Sequence, residues 1–444
     1  MVITHIHVNG FKSLRNFDMD LKIGPNILVG PNGSGKTNII SFFEFISCIV
    51  QRDLHEAIGM LGGASSIFQK VGETAYCQSI SASIFGTKHI RSKQNLSYVY
   101  DFEIVTFIEK GIISYKSQRL RILKTSEDIT ISPRKVENIS TDLDISEVYR
   151  ESNPPNALIN RLNLKKIRTY GESIKREDFE KMLTSNYRSM ESYSLVQILL
   201  RFFEVIRFIF DDLYGGEVFN IIPSRVKQPE DIAKQPGIEK DGTGLAATLF
   251  ALTHQIDDIR MHPYFRFQYR RVRLNPEIYN KIVEFAKLAN SSITNISVQN
   301  NAFDNHLLVR IAISADDKTI FLPLSSMSDG TLKWITLITA ILTSSHIFSI
   351  EEPENFLHPW MQSEILKIMR SNYSDKKSSS FILMSTHSET LLNSSKSPEI
   401  VVVSMENGFT KARRINDPEL LTKEISRTGF GLGHYYISGG LQDA

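Results

Sequence analysis

The stretch Pro25-Asn26-Ile27-Leu28-Val29-Gly30-Pro31-Asn32-Gly33-Ser34-Gly35-Lys36-Thr37-Asn38 decides the fold of this chain. It begins as an apolar strand, continues as a glycine-rich turn and predicts an apolar helix over Asn38 to Val50. Glycines let the backbone approach a polyphosphate closely, so that amide N–H groups and a helix N-terminus point at the anion. We therefore expect a phosphate-binding loop here; an ordinary glycine turn is the alternative.

The side chains of this loop predict ATP and Mg²⁺ as ligands. Lys36 supplies a positive charge for the β- and γ-phosphates, and the Thr37 hydroxyl is a candidate Mg²⁺ ligand. The other candidate nucleotide-binding residues of the loop are Gly30, Asn32, Gly33, Ser34, Gly35 and Asn38.

Length and charge limit the classes of protein to consider. The chain has 444 residues, enough for two to three domains or one domain with a long insertion. Its 51 basic and 49 acidic residues give a net charge of +2, which argues against a uniformly basic nucleic-acid coat. Cys48 and Cys77 lack metal-ligand spacing, and the sequence gives no argument for a disulfide between them, which favours a reducing compartment.

Hydropathy predicts no contact with a membrane. The N-terminus alternates apolar and polar residues as a half-buried strand does, without the pattern of a secretion signal. The most apolar stretch, Leu195 to Phe210, is interrupted by charges and is too short to cross a bilayer. We expect a soluble cytoplasmic protein.

Periodicity and turn residues predict an α/β chain in four parts. Residues 1–90 form an N-terminal nucleotide-binding lobe, 91–305 a mixed α/β insertion, 306–410 a C-terminal lobe, and 411–444 a tail. Within the insertion, apolar residues at three- and four-residue spacings predict a helix from Arg176 to Leu213. A core helix is the preferred interpretation, and a partner-binding helix is the alternative.

Three motifs in the second half can complete a nucleotide site. Ser328-Asp329-Gly330-Thr331 opens an apolar helix and offers a hydroxyl and N–H groups to an anion, although such turns are often plain helix caps. Glu351 and Glu352 lie at the end of an apolar strand. One carboxylate would face Mg²⁺, and the next could polarise an attacking water molecule. A solvated acidic turn is the alternative. His387 follows a buried strand and can contact a γ-phosphate, or be a structural histidine.

The order of these motifs resembles the ABC-type ATPases of the RecF/SMC branch, most of all the ATPase half of the OLD proteins. Asn9 to Leu14 is similar to the segment with which those proteins begin, and Gly242 to Ala246 to a weaker motif of theirs. The resemblance implies an α/β P-loop NTPase of ABC/SMC-head type, with two lobes split by a long mixed α/β insertion.

The resemblance also implies a role for each motif residue. Lys36 and Thr37 would bind phosphates and Mg²⁺, Ser328 and Gly330 would form the signature motif, and Glu351 would lie on the metal side. Glu352 would be the catalytic base and His387 the switch histidine. Glu351 departs from the usual aspartate, and Gln69 is the candidate for the metal-contacting glutamine. Because one subunit's signature closes on another's nucleotide in that family, a homodimer or higher oligomer is implied.

A basic stretch raises the question of DNA. Residues 264–273 interleave aromatics with Arg266, Arg270, Arg271 and Arg273, a composition suited to a nucleic-acid track. Alternation in a strand would instead bury the aromatics and leave the arginines as a solvated face, and this interpretation is preferred.

Two functions follow as hypotheses. The 57 residues after His387 are too few for the nuclease domain of full-length OLD proteins, so we expect an ATPase that controls a separate effector. By resemblance to the Septu and PARIS systems, that effector is a nuclease in bacterial anti-phage defence. The alternative is a RecF-like ATPase that binds DNA in repair or maintenance.

Overall fold

The computed structural model of the chain forms two compact units. It describes residues 2–73, 75–91, 94–107, 111–126, 145–152, 155–159, 168–169, 172–173, 175–184, 191–214, 217–254, 275–301, 303–316, 318–344, 348–375 and 381–443. Unit 1 comprises Met1–Gly216, Ser378–Phe381 and Val401–Ile415. Unit 2 comprises Glu217–Lys377, Ile382–Ile400 and Asn416–Ala444.

Unit 1 contains an antiparallel sheet of seven strands in the order β2-β1-β4-β5-β6-β7-β8. Its strands are β1 Val2–Asn9, β2 Phe17–Asp20, β4 Ser79–Arg91, β5 Gln94–Phe107, β6 Ile112–Ser126, β7 Glu147–Ser152 and β8 Pro155–Ile159. A short hairpin, β9 Arg168–Thr169 with β10 Glu172–Ser173, follows. The predicted domain boundary at residue 90 lies inside β4, so this sheet continues across it. The four-part assignment as a whole stays a prediction.

The phosphate loop of unit 1 lies between a strand and a helix, as the sequence predicts. Strand β3, Gly24–Val29, is buried along its whole length and lies beside β18, Ile400–Glu406, which pairs with β19, Phe409–Arg414. Helix α1 runs over Lys36–Gln51 and buries an aromatic face against Phe11. Two short helices, α2 Leu54–Met60 and α3 Ala64–Ile67, follow it. The strand and the helix therefore hold both ends of the loop.

The long helix predicted from Arg176 to Leu213 is wrong as a single element. The described residues form α4 Arg176–Thr184, α5 Leu195–Leu199 and α6 Glu204–Tyr214. The Ser194 side chain accepts from the N–H of Gln197 and starts α5 anew, and a turn follows α5. Because Phe203, between that turn and α6, is also buried, the apolar spacing runs through the break. Periodicity alone could not reveal it.

Unit 2 carries two groups of strands and most of the remaining helices. Strands β11 Glu217–Phe219, β16 Phe348–Glu351 and β17 Phe381–Ser385 run parallel, with β16 between the other two. An antiparallel group contains β12 Glu230–Asp231, β13 Ile293–Asn301, β14 His306–Ala315 and β15 Lys318–Pro323. The helices are α7 Pro223–Val226, α8 Leu245–His254, α9 Pro276–Ala289, α10 Asp329–Thr343, α11 Pro359–Asp375, α12 Glu389–Asn393, α13 Pro418–Thr428, α14 Leu432–Ile437 and α15 Gly440–Asp443.

Helix α10 is the core of unit 2. Every residue from Thr331 to Thr343 is buried. The hydroxyls of Thr336, Thr339 and Thr343 donate to backbone carbonyls one turn earlier, which satisfies them in apolar surroundings. Among the described residues, no helix is both long and apolar enough to span a bilayer.

Candidate functional site

The phosphate loop of unit 1 requires glycine at two positions. Gly35 has φ of 100°, and a Cβ there would lie 1.8 Å from Oγ1 of Thr410 in β19. A Cβ at Gly30 would lie 2.0 Å from the carbonyl oxygen of Val403 in β18. The loop is therefore wedged against the β18–β19 hairpin, and side chains at these positions would displace it.

The polar groups of this loop fit a polyphosphate. Lys36 is 7% exposed, and its Nζ donates to the carbonyls of Gly30 at 2.8 Å and Pro31 at 3.1 Å. The buried Ser34 Oγ has no hydrogen-bond partner among the described residues. Helix α1 has no side-chain cap at Gly35, and Thr37 is exposed in its first turn. A cationic side chain, an unsatisfied hydroxyl and an uncapped helix N-terminus suit a bound anion.

Side chains outside the motif brace the loop. The Ser13 hydroxyl lies 2.6 Å from Thr410 Oγ1 and accepts from Asn38 Nδ2 at 2.7 Å. This chain of bonds joins the N-terminal segment, the β18–β19 hairpin and the first turn of α1. Sequence reasoning missed Thr410, because nothing in residues 401–415 signals a neighbour nearly four hundred positions earlier.

Gln69 also lies in unit 1, where it lines a cavity. It is buried and, with Asn9, Gly10 and Arg15, lines a cavity of about 470 Å³. Its backbone N–H donates to the Gly10 carbonyl at 2.9 Å. The Arg15 guanidinium lies 4.8 Å from the ring centroid of Phe409, which also lines the cavity. The metal-contacting role of Gln69 stays a prediction.

In unit 2, Glu351 and Glu352 lie at the end of a parallel strand pair. Glu351 is the last residue of β16 and pairs with Ser385 at the end of β17. Glu352 has φ of 42°, a conformation that costs free energy for a side chain of this size. Its N–H donates to the Ser385 carbonyl at 3.0 Å, and its own carbonyl accepts from Lys333 Nζ at 3.1 Å. The peptide groups on both sides of Glu352 are therefore held by hydrogen bonds.

A third carboxylate fixes the segment that carries His387. Glu354 Oε1 accepts from the Thr386 hydroxyl at 2.9 Å and from the His387 N–H at 2.8 Å. The structure thus brings Glu352 and His387 to the same edge of the parallel strands and ties their loops together. Sequence reasoning gave Glu354 no role; its place two residues after Glu352 was the available signal.

The signature candidate contacts the loop after β16 within its own chain. The Ser328 Oγ caps α10 by accepting from the Thr331 N–H at 3.2 Å, as the alternative of a helix cap predicts. A Cβ at Gly330 would lie 2.6 Å from the carbonyl oxygen of Phe356. Together with the Lys333 contact, this close approach presses the start of α10 against residues 352–356.

Lys333 is the least expected charge in this part of the molecule. It is the one charged side chain in the buried part of α10, from Thr331 to Thr343, and is 2% exposed. Burial lowers its pKa to about 8, against the opposing effect of Glu354 and Glu352. In the sequence, a lysine within an apolar run was the available signal for a buried charge, and sequence reasoning missed it.

The predicted site residues lie in one of the two units or outside the described residues. Unit 1 holds the phosphate loop and Gln69, and unit 2 holds Ser328, Gly330, Glu351, Glu352 and His387. Arg266, Arg270, Arg271 and Arg273 lie outside the described residues. Across the described ranges, no three His, Cys, Asp or Glu side chains form a group that could hold a metal ion. Mg²⁺ does not need such a group, since it binds through one or two protein ligands, water and substrate phosphates.

Three solved SMC head structures are similar to this chain. The SMC head bound to the C-winged helix domain of ScpA is 13% identical, with a TM-score of 0.49, over 95% of this chain and 100% of that one. The SMC head domain from Thermotoga maritima is 12% identical, with a TM-score of 0.40, over 94% and 100%. The head with an extended coiled coil bound to the C-terminal domain of ScpA, derived from Pyrococcus furiosus, is 12% identical, with a TM-score of 0.44, over 96% and 99%.

No curated protein matches the chain in sequence. The family model described as "AAA domain, putative AbiEii toxin, Type IV TA system" matches residues 26–393, which is more than half of the chain. This range begins in β3 and includes the phosphate loop, the turn at Ser328, both strand-end carboxylates and His387. The chain therefore belongs to this AAA-domain family, and it has a mixed α/β fold in which the phosphate loop lies between a strand and a helix.

Proposed function

We propose that the chain binds ATP with Mg²⁺, hydrolyses it, and assembles with a second copy of itself when ATP is bound. The observation that carries this proposal is the phosphate loop, which combines Lys36, a Ser34 hydroxyl without a partner among the described residues, and the start of α1, which has no side-chain cap. Thr37 and Glu351 would hold Mg²⁺, with Gln69 as a further candidate. The metal would supply positive charge that neutralises the phosphates.

Glu352 is the proposed general base and His387 the proposed γ-phosphate contact. The Glu352 side chain accepts from Asn355 Nδ2 at 3.0 Å, which orients the carboxylate. Its backbone is held by Ser385 and Lys333, and that of His387 by Glu354. Such positioning is what general-base catalysis on a water molecule requires.

The test of ATP binding and assembly uses two variants of the purified chain. Lys36→Ala should lose nucleotide binding and ATP-dependent assembly, while Glu352→Gln should bind and assemble but turn over ATP at least about a hundredfold more slowly. Calorimetry, light scattering and phosphate release measure the three properties. Native protein that binds no ATP, or a Lys36→Ala variant that binds and assembles normally, would refute the proposal.

We further propose that this ATPase controls a separate effector, a nuclease, in bacterial anti-phage defence in the cytoplasm. The support is the order of motifs shared with OLD-like ATPases, and the family description, which names a toxin of a type IV toxin–antitoxin system. In cells that carry the chain with its genomic neighbours, phage plating should fall, and Lys36→Ala should restore it. Unchanged plating with the native set would count against the defence role.

The alternative is direct DNA binding in repair or maintenance, and residues 264–273 favour it by composition. Replacing Arg266, Arg270, Arg271 and Arg273 with Ala should then abolish salt-sensitive DNA binding while ATP turnover persists. If the native chain binds no DNA at low salt, this alternative is excluded.

A further inference from the structure

Helix α14, Leu432–Ile437, packs on α12, the helix that follows His387. The Gly433 N–H donates to Asn393 Oδ1, at the end of α12, at 2.8 Å. A Cβ at Gly433 would lie 2.3 Å from Cγ of Glu389, and one at Gly431 would lie 2.0 Å from Asn393 Oδ1. The two glycines therefore allow a close approach that larger residues would prevent, and they fix the position of α14 along α12.

This packing brings a tyrosine hydroxyl to the ring of His387. Tyr436, in α14, has its Oη 3.4 Å from His387 Nδ1, and both residues are partly buried. The His387 backbone is held separately, by Glu354. A neutral imidazole carries one proton, and a hydrogen bond to one ring nitrogen decides where that proton lies. When the Tyr436 hydroxyl donates to Nδ1, the proton lies on Nε2.

We propose that Tyr436 is a positioning residue that fixes the neutral His387 ring with its proton on Nε2. The ring then presents Nε2–H as a donor, which is the form that can hydrogen-bond a phosphate oxygen. This inference rests on the proposed ATP hydrolysis for its functional consequence, and on the α12–α14 packing for its structural basis.

The neighbouring residue offers a matched control. Tyr435 is also a tyrosine of α14, but its hydroxyl lies 3.2 Å from Thr428 Oγ1 instead. Tyr436→Phe and Tyr435→Phe each remove one hydroxyl and keep the ring. Tyr436→Phe should lower kcat for ATP three- to tenfold and leave KM unchanged, whereas Tyr435→Phe should change neither. Equal kinetics in the two variants would overturn the functional role.

A second measurement does not depend on hydrolysis. In histidine-labelled protein, the ¹⁵N signals of His387, assigned by their loss in His387→Gln, report which ring nitrogen carries the proton. The native chain and Tyr435→Phe should show the Nε2–H form, and Tyr436→Phe should show a mixture. The same tautomer in Tyr436→Phe as in native protein would overturn the inference. A native chain that binds no ATP would refute the proposed function, while this spectrum would still decide the tyrosine contact.

Discussion

At the scale of single residues, one buried carboxyl group, that of Asp212, lowers the stability of the folded protein when it is ionised. Asp212 in α6 is 4% exposed, and its Oδ2 accepts from the Tyr98 hydroxyl at 2.6 Å, while its Oδ1 has no partner among the described residues. Burial raises the pKa of this carboxyl from 3.8 to about 6. The ionised form is therefore less favourable in the folded protein than in the unfolded chain.

Because its pKa is raised on folding, Asp212 should destabilise the folded protein more as the pH rises. The cost of ionising Asp212 begins above the unfolded pKa of 3.8 and is complete above the folded pKa of about 6. Asp212→Asn removes this cost. The substitution should therefore raise the free energy of unfolding by about 2 kcal/mol more at pH 7.5 than at pH 4. Urea unfolding at the two pH values measures it, with Asp211→Asn as the control for charge. The same change at both pH values would show that the carboxylate is not disfavoured by burial.

Lys333 offers a second prediction at this scale. Lys333→Met keeps an unbranched side chain that is one atom shorter and removes the donor to the Glu352 carbonyl, so Glu352 should lose its position. We expect kcat to fall about tenfold with KM for ATP unchanged, and the unfolding temperature to stay within a few degrees because a buried charge is removed. Lys333→Arg should restore part of the activity. A loss of ATP binding, or unaltered kcat, would contradict this coupling.

At the scale of elements, the start of α10 and the loop after β16 behave as one packed unit. Gly330→Ala should push the Phe356 carbonyl away, lowering unfolding free energy by about 1–3 kcal/mol and reducing ATP turnover. Gly59→Ala is the control: it lies in α2 with open space where the Cβ would be, and should stabilise by about 0.5–1 kcal/mol. Denaturant unfolding measures both. Stabilisation by Gly330→Ala would show that α10 does not press on this loop.

At the scale of the whole molecule, the prediction concerns two copies of the chain. If the signature of one copy serves the nucleotide of another, Lys36→Ala and Ser328→Arg should each be inactive alone. Mixing them in equal amounts should restore roughly a quarter of native turnover, because half of the dimers then contain one intact site. The mixture is assayed by phosphate release after subunit exchange. No recovery at any mixing ratio would mean that both motifs act within one chain.

Much of the fold could be read from the sequence, because the decisive signals are local. The strand before the phosphate loop, the helix after it and the strand before Glu351 each lie within a few residues of their predicted bounds. The break at residues 200–203 was missed because apolar residues continue through it and the last of them, Phe203, is buried. Apolar spacing reports burial, and it does not report whether the helix is continuous.

The sequence by itself determined the phosphate loop, the order of the motifs and hence the family, since backbone freedom, charge and apolar runs are properties of neighbouring residues. Only the tertiary structure revealed that Thr410 requires glycine at position 35, that Lys333 and Glu354 hold the loops of Glu352 and His387, and that Tyr436 reaches the His387 ring. These contacts join residues 19 to 375 positions apart. Such pairs are set by how strands and helices pack, which no short stretch encodes.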